Sequence, residues 1–133
     1  MSRALSVILA GAAASVLVAN LAVAVEMQEV VVSATRMLVE TPAGRTSSGI
    51  PLIDISLSYG VSYAGLDLAT HSGAMELEKR VHEAAKAACE EISHQRPLAH
   101  LTPSDSVCAK TAAEKAMVKV DELVAAAEKK GAK

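Results

Sequence analysis

The stretch from Ile53 to Cys89 contains, in one unbroken run, the residues that decide the fold. It reads IDISLSYGVSY over residues 53–63, AGLDLAT over 64–70 and HSGAMELEKRVHEAAKAAC over 71–89. Apolar residues alternate with small or polar ones from Ile53 to Tyr63. A period of two predicts a strand with one buried face and one solvated face. Gly60 lies within this strand and is expected to mark a bulge or a bend.

An amphipathic helix is predicted directly after the turn, from about Ser72. Thr70 and Ser72 are its candidate N-caps. Asp67 is interpreted as a turn or cap residue that accepts backbone N–H groups, in preference to a ligand carboxylate. Residues at helical spacing form one apolar stripe, made of Ala74, Leu77, Val81, Ala84, Ala85, Ala88 and Ile92. The stripe is expected to cover the sheet, with Cys89 at its edge.

A second helix is predicted after a loop over residues 93–103. Thr102 is its expected cap, with Pro103 at the first helical position and Asp105 three residues after the cap, a variant of the capping box. Its apolar side consists of Ala109, Ala112, Ala113, Ala116, Val120, Leu123, Val124 and Ala127. A face so rich in alanine allows a close approach to another helix.

The first strand is predicted upstream, from Glu29 to Val39. This segment, EVVVSATRMLV, is rich in β-branched residues, and the following residues 41–49 are mostly Pro, Gly, Ser and Thr. The two strands are therefore expected to form an antiparallel hairpin with a long, flexible connection. A two-stranded sheet is marginal alone and needs helices across its apolar face.

The first 24 residues resemble a secretory signal. Arg3 precedes an apolar run, and Ala22-Val23-Ala24 is a small-x-small cleavage site. We expect cleavage after Ala24, a processed chain that begins at Val25, and a periplasmic or secreted location. The alternative is an uncleaved membrane anchor, because the apolar run approaches the roughly 20 residues that span a bilayer. No other run of membrane length follows, so the processed chain is expected to be free of the membrane.

The two cysteines, Cys89 and Cys108, are the only pair in the chain. Export would take both to an oxidising compartment, so a disulfide between them is predicted. A redox-active pair is the competing interpretation, but the close C-x-x-C spacing that such pairs use is absent. The predicted fold class is α+β, a two-stranded antiparallel β-hairpin packed against two α-helices joined by one disulfide.

Composition excludes several functions. Tyr59 and Tyr63 are the only aromatic residues, so stacking on bases and aromatic anchors in ligand pockets are almost ruled out. Removing residues 1–24 takes one basic residue from the 13 basic and 15 acidic ones, leaving 12 against 15, or −3. This charge gives no basic field for nucleic acid. No nucleophile-elbow, Ser/His/Asp or phosphate-cradling pattern occurs.

Metal binding is only weakly indicated. Glu78 and His82 lie at i and i+4, the spacing at which two side chains could chelate together, while His71 is about 10 Å from Glu78 along a helix axis. His94 and His100 flank a proline in the loop between the helices. A specific site usually needs three or more ligands. We therefore predict no metal site, no cofactor and no catalytic residues.

The chain resembles the UrcA family of small exported bacterial proteins over about residues 50–120. The likeness rests on a strand that leads into a turn, an S/T-x-x-G-A-x-x-L-x-x-R-[IV]-x-x-A-A-x-x-x-C helix and a second cysteine. It is carried by Leu66, Asp67, Leu68, Thr70, Gly73, Ala74, Leu77, Arg80, Val81, Ala84, Ala85, Cys89 and Cys108. The turn departs at Ala64-Gly65, where family members often have an acidic residue. The resemblance implies an exported protein with a disulfide and implies no molecular function.

The expected organisation is a signal peptide over residues 1–24, the first strand and flexible loop over 25–49, and a UrcA-like α+β domain over 50–130. The leading functional hypothesis is an exported, non-catalytic protein that binds a partner or contributes to envelope homeostasis. The alternative is a weak metal or oxyanion binder that uses His94, His100 and nearby carboxylates. The exposed strand edges predict a second copy of the chain as one partner, by strand addition or helix packing.

Overall fold

The structure, a computed structural model, describes residues 27–39 and 52–132. The predicted signal peptide over 1–24, with its cleavage after Ala24, and the predicted loop over 41–49 lie outside these residues. Five elements follow in order: β1 (Glu29–Val39), β2 (Leu52–Ser62), α1 (His71–Gln95), β3 (Leu101–Thr102) and α2 (Asp105–Gly131). The strands form one antiparallel sheet in the order β2-β1-β3, so the predicted α+β class is confirmed.

The prediction of a two-stranded sheet is wrong, because β3 adds a third strand on the far side of β1. Leu101 and Thr102 pair with Leu38 and Met37. A strand of two residues has no alternation that a sequence could reveal. It forms where the connection between the helices passes the end of β1, whose backbone groups would otherwise lack partners there.

The β1–β2 hairpin pairs residue by residue from Glu29↔Ser62 to Val39↔Leu52. Val31 lies opposite Gly60 without an extra residue on either strand, so the ladder contains no bulge at Gly60. Alternation places one face of β1 in the core, where Val30, Val32, Ala34 and Leu38 are buried. On the other face, side-chain hydroxyls form hydrogen bonds across the two strands, Ser33 Oγ with Ser58 Oγ at 2.8 Å and Thr35 Oγ1 with Ser56 Oγ at 3.0 Å.

The predicted start of α1 is confirmed. Thr70 is the N-cap, and its Oγ1 accepts a hydrogen bond from the Gly73 N–H at 3.1 Å. Asp67 acts as the turn residue that was expected, since its carboxylate accepts the Ala69 N–H at 3.1 Å and its carbonyl accepts the Thr70 N–H at 3.1 Å. The turn therefore satisfies backbone donors that the first turn of the helix leaves free.

Gly73 is the position where this turn admits no other residue without rearrangement. A Cβ built on Gly73 would lie 2.0 Å from the Asp67 carbonyl oxygen, which is a backbone atom held by the Thr70 N–H and hydroxyl. The helix start and the turn before it are thus in direct van der Waals contact. The glycine in the resemblance pattern has a steric role here.

The predicted start of α2 is wrong by about two residues. Thr102 lies in β3 instead of capping the helix, the Thr102–Pro103 peptide is cis, and Ser104 is the N-cap. The Ser104 side chain makes no capping hydrogen bond. The cause is the pairing of Thr102 with Met37, which keeps the chain extended past the position where the capping pattern favours a helix.

The two helices cover one face of the sheet and meet each other through small residues. The buried part of the α1 stripe contains Leu77, Val81, Ala85, Ala88 and Ile92, and that of α2 contains Ala112, Ala113, Ala116 and Val120. Cys89 and Cys108 form the predicted disulfide, with a Cα–Cα distance of 6.0 Å, and both side chains are buried. None of the helices in the described ranges is long and apolar enough to cross a bilayer.

A glycine-to-alanine comparison tests the role of Gly73. In a helix interior, alanine is more favourable than glycine by about 1 kcal/mol. G73A is nevertheless expected to lower the free energy of unfolding by about 2 kcal/mol, because the new methyl group overlaps the Asp67 carbonyl. G131A is the matched control, since its Cβ would meet only the Ala69 methyl at 3.7 Å. Urea unfolding of both variants checks this, and equal stabilities would contradict the steric account.

Candidate functional site

Arg36 occupies a position in β1 that alternation assigns to the core. It shares its face with Val30, Val32, Ala34 and Leu38, and only 4% of its surface is exposed. A buried guanidinium is costly unless charged and hydrogen-bonding partners surround it. None of the sequence patterns described above assigns a role to Arg36, although a single arginine inside a strand that is expected to pack against helices is a signal that could have found it.

The partners of Arg36 come from three other elements. Its Nη1 donates to Ser93 Oγ on α1 and to Asp105 Oδ1 on α2, and its Nη2 donates to the Leu101 carbonyl in β3 at 3.4 Å. Ser93 Oγ also donates to Asp105 Oδ1 at 2.6 Å. We call these four residues the arginine cluster. Asp105 lies in the first turn of α2, where the helix dipole also favours a negative charge.

The arginine cluster ties β1 to the end of α1, to β3 and to the start of α2. Ser93 follows Cys89 by one helical turn, and Asp105 precedes Cys108 by three residues. The cluster and the disulfide therefore fix the same pair of helix ends, one by charge and one by a covalent bond. Within the described residues, Arg36 Nε is a buried side-chain donor without a partner.

A cleft of about 240 Å³ opens beside the arginine cluster. Its lining consists of Arg36, Ser93, Arg96, Pro97, Ala99, His100 and Leu101. The lining contains two guanidinium groups and one imidazole, and no carboxylate. Such a set of donors suits an oxyanion better than a metal ion.

The four histidines are all exposed. His100 lines the cleft and His94, in the last turn of α1, does not. Over residues 27–39 and 52–132, no group of three or more His, Cys, Asp or Glu side chains could hold a metal ion. The predicted combination of His94 and His100 with nearby carboxylates is therefore not assembled as a set of metal ligands.

The arginine cluster contains a serine and a carboxylate, but its geometry serves structure. Ser93 Oγ accepts from a guanidinium and donates to Asp105, which occupies the hydroxyl at both ends. A serine nucleophile needs a base, usually an imidazole, to take its proton. In the described residues no histidine is hydrogen-bonded to Ser93.

The outer edge of β2 is the second feature of the surface that bears on function. Among the described strands, β2 pairs only with β1, although it is eleven residues long. It contains one charged residue, Asp54, and no Lys, Arg or Pro. Natural edge strands are usually short or protected by such residues. We call this unpaired side of the strand the β2 edge.

Apart from Val61, which is buried, the described apolar side chains of β2 are only partly covered by the helices. Ile53 is 43% exposed and Tyr59 is 37% exposed, whereas their partners on β1, Leu38 and Val32, are buried. Ile55 and Leu57 are half-buried and pack against the core from its border. The core thus ends along β2, and its margin is an apolar stripe next to the β2 edge.

Comparisons with protein-family models, with curated proteins and with solved structures found no match for this chain. The resemblance to the UrcA family therefore depends on the quoted residues alone. In the structure these residues, apart from Cys108 on α2, form one continuous unit: the Asp67 turn, the Thr70 cap, the Gly73 contact and the α1 helix that ends beyond Cys89.

Removing the Asp105 carboxylate tests how much the arginine cluster contributes to stability. D105A is expected to lower the free energy of unfolding by about 2 kcal/mol, because the buried guanidinium loses its charged partner. The control is E90A, which breaks the exposed Lys86–Glu90 pair on α1 and is expected to cost under about 0.5 kcal/mol. Denaturant unfolding of both variants measures the difference, and a D105A loss no larger than that of E90A would refute the structural role.

Proposed function

We propose that this chain is an exported, non-catalytic binding protein that engages a protein partner through the β2 edge. The observation that carries the proposal is an eleven-residue edge strand with one neighbour and half-exposed apolar residues. Unpaired backbone groups along a strand edge bind another extended chain by β-augmentation. Contiguous apolar exposure beside such an edge supports the same interpretation.

Export is part of the proposal. It is supported by the signal-like segment over residues 1–24 and by the Cys89–Cys108 disulfide, a bond that persists in oxidising compartments. We propose a periplasmic or secreted location after cleavage behind Ala24. Membership of the UrcA family is likewise proposed, because the residues that carry the resemblance build one turn and one helix, to which the disulfide joins Cys108 of α2.

Photo-crosslinking in cells of the native host tests the binding surface. A benzophenone amino acid at Ser58 on β2 is expected to give discrete adducts. The same group at Thr111, an exposed hydroxyl residue on α2, should give few. The intact mass of the recovered protein is expected to be that of a chain that starts at Val25. Its cysteine thiols are expected to react with an alkylating reagent only after reduction. No adduct at Ser58, or equal yields at both positions, would argue against the β2 edge as a contact surface.

The cleft beside the arginine cluster supports a second candidate function, the binding of a small oxyanion. Its lining offers Arg96 and His100 at the surface with no carboxylate to compete for them. Arg36 is already paired with Asp105, so Arg96 and His100 are the groups that would hold the anion. This is the oxyanion form of the alternative hypothesis, with His100 in the site and His94 outside it.

Phosphate titration followed by NMR of the histidine side chains tests the cleft. The His100 signals are expected to shift saturably with inorganic phosphate, while those of His82, which lies elsewhere on α1, should not. R96Q should weaken binding roughly tenfold because a charge-assisted hydrogen bond is lost, and R80Q should leave it unchanged. Identical linear shifts of all four histidines would reject a defined site.

A further inference from the structure

We infer that the β2 edge binds the β2 edge of a second copy of this chain, forming a two-fold symmetric dimer with one continuous sheet. This inference rests on the proposed function and names the partner of that same surface. Three features of the molecule support it: the directions of the backbone groups of β2, the residues that the symmetry brings together, and the flank of α1 above the strand.

The backbone groups that face the β2 edge can be identified from the ladder with β1. The Tyr63 N–H donates to the Gln28 carbonyl at 2.9 Å, so Tyr63 faces β1. Residues alternate in an antiparallel ladder, and therefore the N–H and C=O groups of the even-numbered residues Asp54, Ser56, Ser58 and Gly60 point away from β1. The Ser62 carbonyl already accepts from Arg80 at 3.2 Å, which sets the end of the free stretch.

A two-fold axis through Leu57, the middle residue of β2, lets the whole strand pair with β2 of the second copy. It places Asp54 opposite Gly60 of the second copy and Ser56 opposite Ser58 of the second copy. These even-numbered residues form the hydrogen-bonded pairs, in agreement with the directions of their backbone groups. Asp54 is the only charged residue of β2, and the residue opposite it in this register is a glycine.

The same register covers the apolar margin. Leu57 meets Leu57 of the second copy, and Ile55 meets its Tyr59. These are non-hydrogen-bonded pairs, in which side chains approach most closely. Branched aliphatic and aromatic residues are favourable cross-strand pairs. The half-exposed residues on the core face of β2 thus find apolar partners. On the outer face of the seam, the line along which the two β2 strands pair, the hydroxyls of Ser56 and Ser58 repeat the Ser33–Ser58 pairing seen within one chain.

The flank of α1 that adjoins β2 also suits a second copy. Arg80 contacts the Ser62 carbonyl, and Ala84, Ala87 and Glu91 follow at helical spacing on the same side. The side chains of Ala84 and Ala87 are small, which permits the close approach of two α1 helices above the two paired β2 strands.

The other free stretch of the sheet does not compete as an interface. β3 pairs with β1 only at Met37 and Leu38, so residues 29–36 of β1 lack a strand neighbour on that side within the described chain. Their core-facing side chains, Val30, Val32 and Ala34, are already buried. A partner there would cover no further apolar residue on the core face, whereas a partner at the β2 edge would cover the half-exposed residues on the core face of β2.

A charge pair placed on the outer face tests both the dimer and its register. Ser56 and Ser58 are exposed and lie opposite each other only across the seam. In S56K/S58K every lysine faces a lysine of the second copy, while in S56K/S58E every lysine faces a glutamate. The wild-type protein and S56K/S58E are expected to sediment as dimers. S56K/S58K should have a dissociation constant roughly tenfold above that of S56K/S58E.

Circular dichroism of both variants checks that each chain stays folded, since both substitutions lie on the solvated face. Equal dissociation of the two variants would overturn the register. A wild-type monomer at millimolar concentration would overturn the dimer. If that monomer still gives Ser58 adducts with other proteins in cells, the proposed binding function stands without the second copy, and if it gives none, both proposals fail.

Discussion

The Cys89–Cys108 bond is the constraint on which the rest of this fold depends. The chain has no Phe or Trp, and its helix contacts are made largely of alanine, so each contact buries little apolar surface. A small domain with such a core needs a further source of stability. The disulfide joins α1 to α2 between buried residues, and it closes the connection from which β3 is made.

The arginine cluster complements the disulfide at the same end of the molecule. Arg36 reaches from β1 to Asp105 at the start of α2 and to Ser93 near the end of α1. The covalent bond holds the helices to each other, and the ion pair holds them to the sheet. This end is closed and strongly connected, whereas β2 at the opposite side of the sheet is paired on one side only among the described strands.

Local patterns in the sequence were sufficient to predict much of this structure. The alternation from Ile53, the Thr70 cap, the apolar stripe of α1 and the single pair of cysteines each depend on residues close in the chain or on a count. The turn role of Asp67 also followed from local chemistry. The signal segment and the cleavage after Ala24 stay predictions, since they lie outside the described residues.

What the sequence could not predict depends on contacts between distant residues. β3 exists because Leu101 meets Leu38, and a two-residue strand has no period to detect. The late start of α2 follows from the same pairing. Arg36 was missed because its partners are 57 and 69 residues away. His94 and His100 were grouped by spacing alone, and within the described part of the chain they belong to no group of three or more metal-ligating side chains.

Denaturant unfolding of the wild-type chain with and without reductant, beside the C89A/C108A variant, tests the central claim most directly. The crosslinked loop spans a sequence separation of 19. Its closure in the unfolded chain predicts a loss of about 3 kcal/mol in the free energy of unfolding for both the reduced protein and the variant. A loss below about 1 kcal/mol in both would show that the alanine-rich core is sufficient alone, and it would contradict the dependence of this fold on its disulfide.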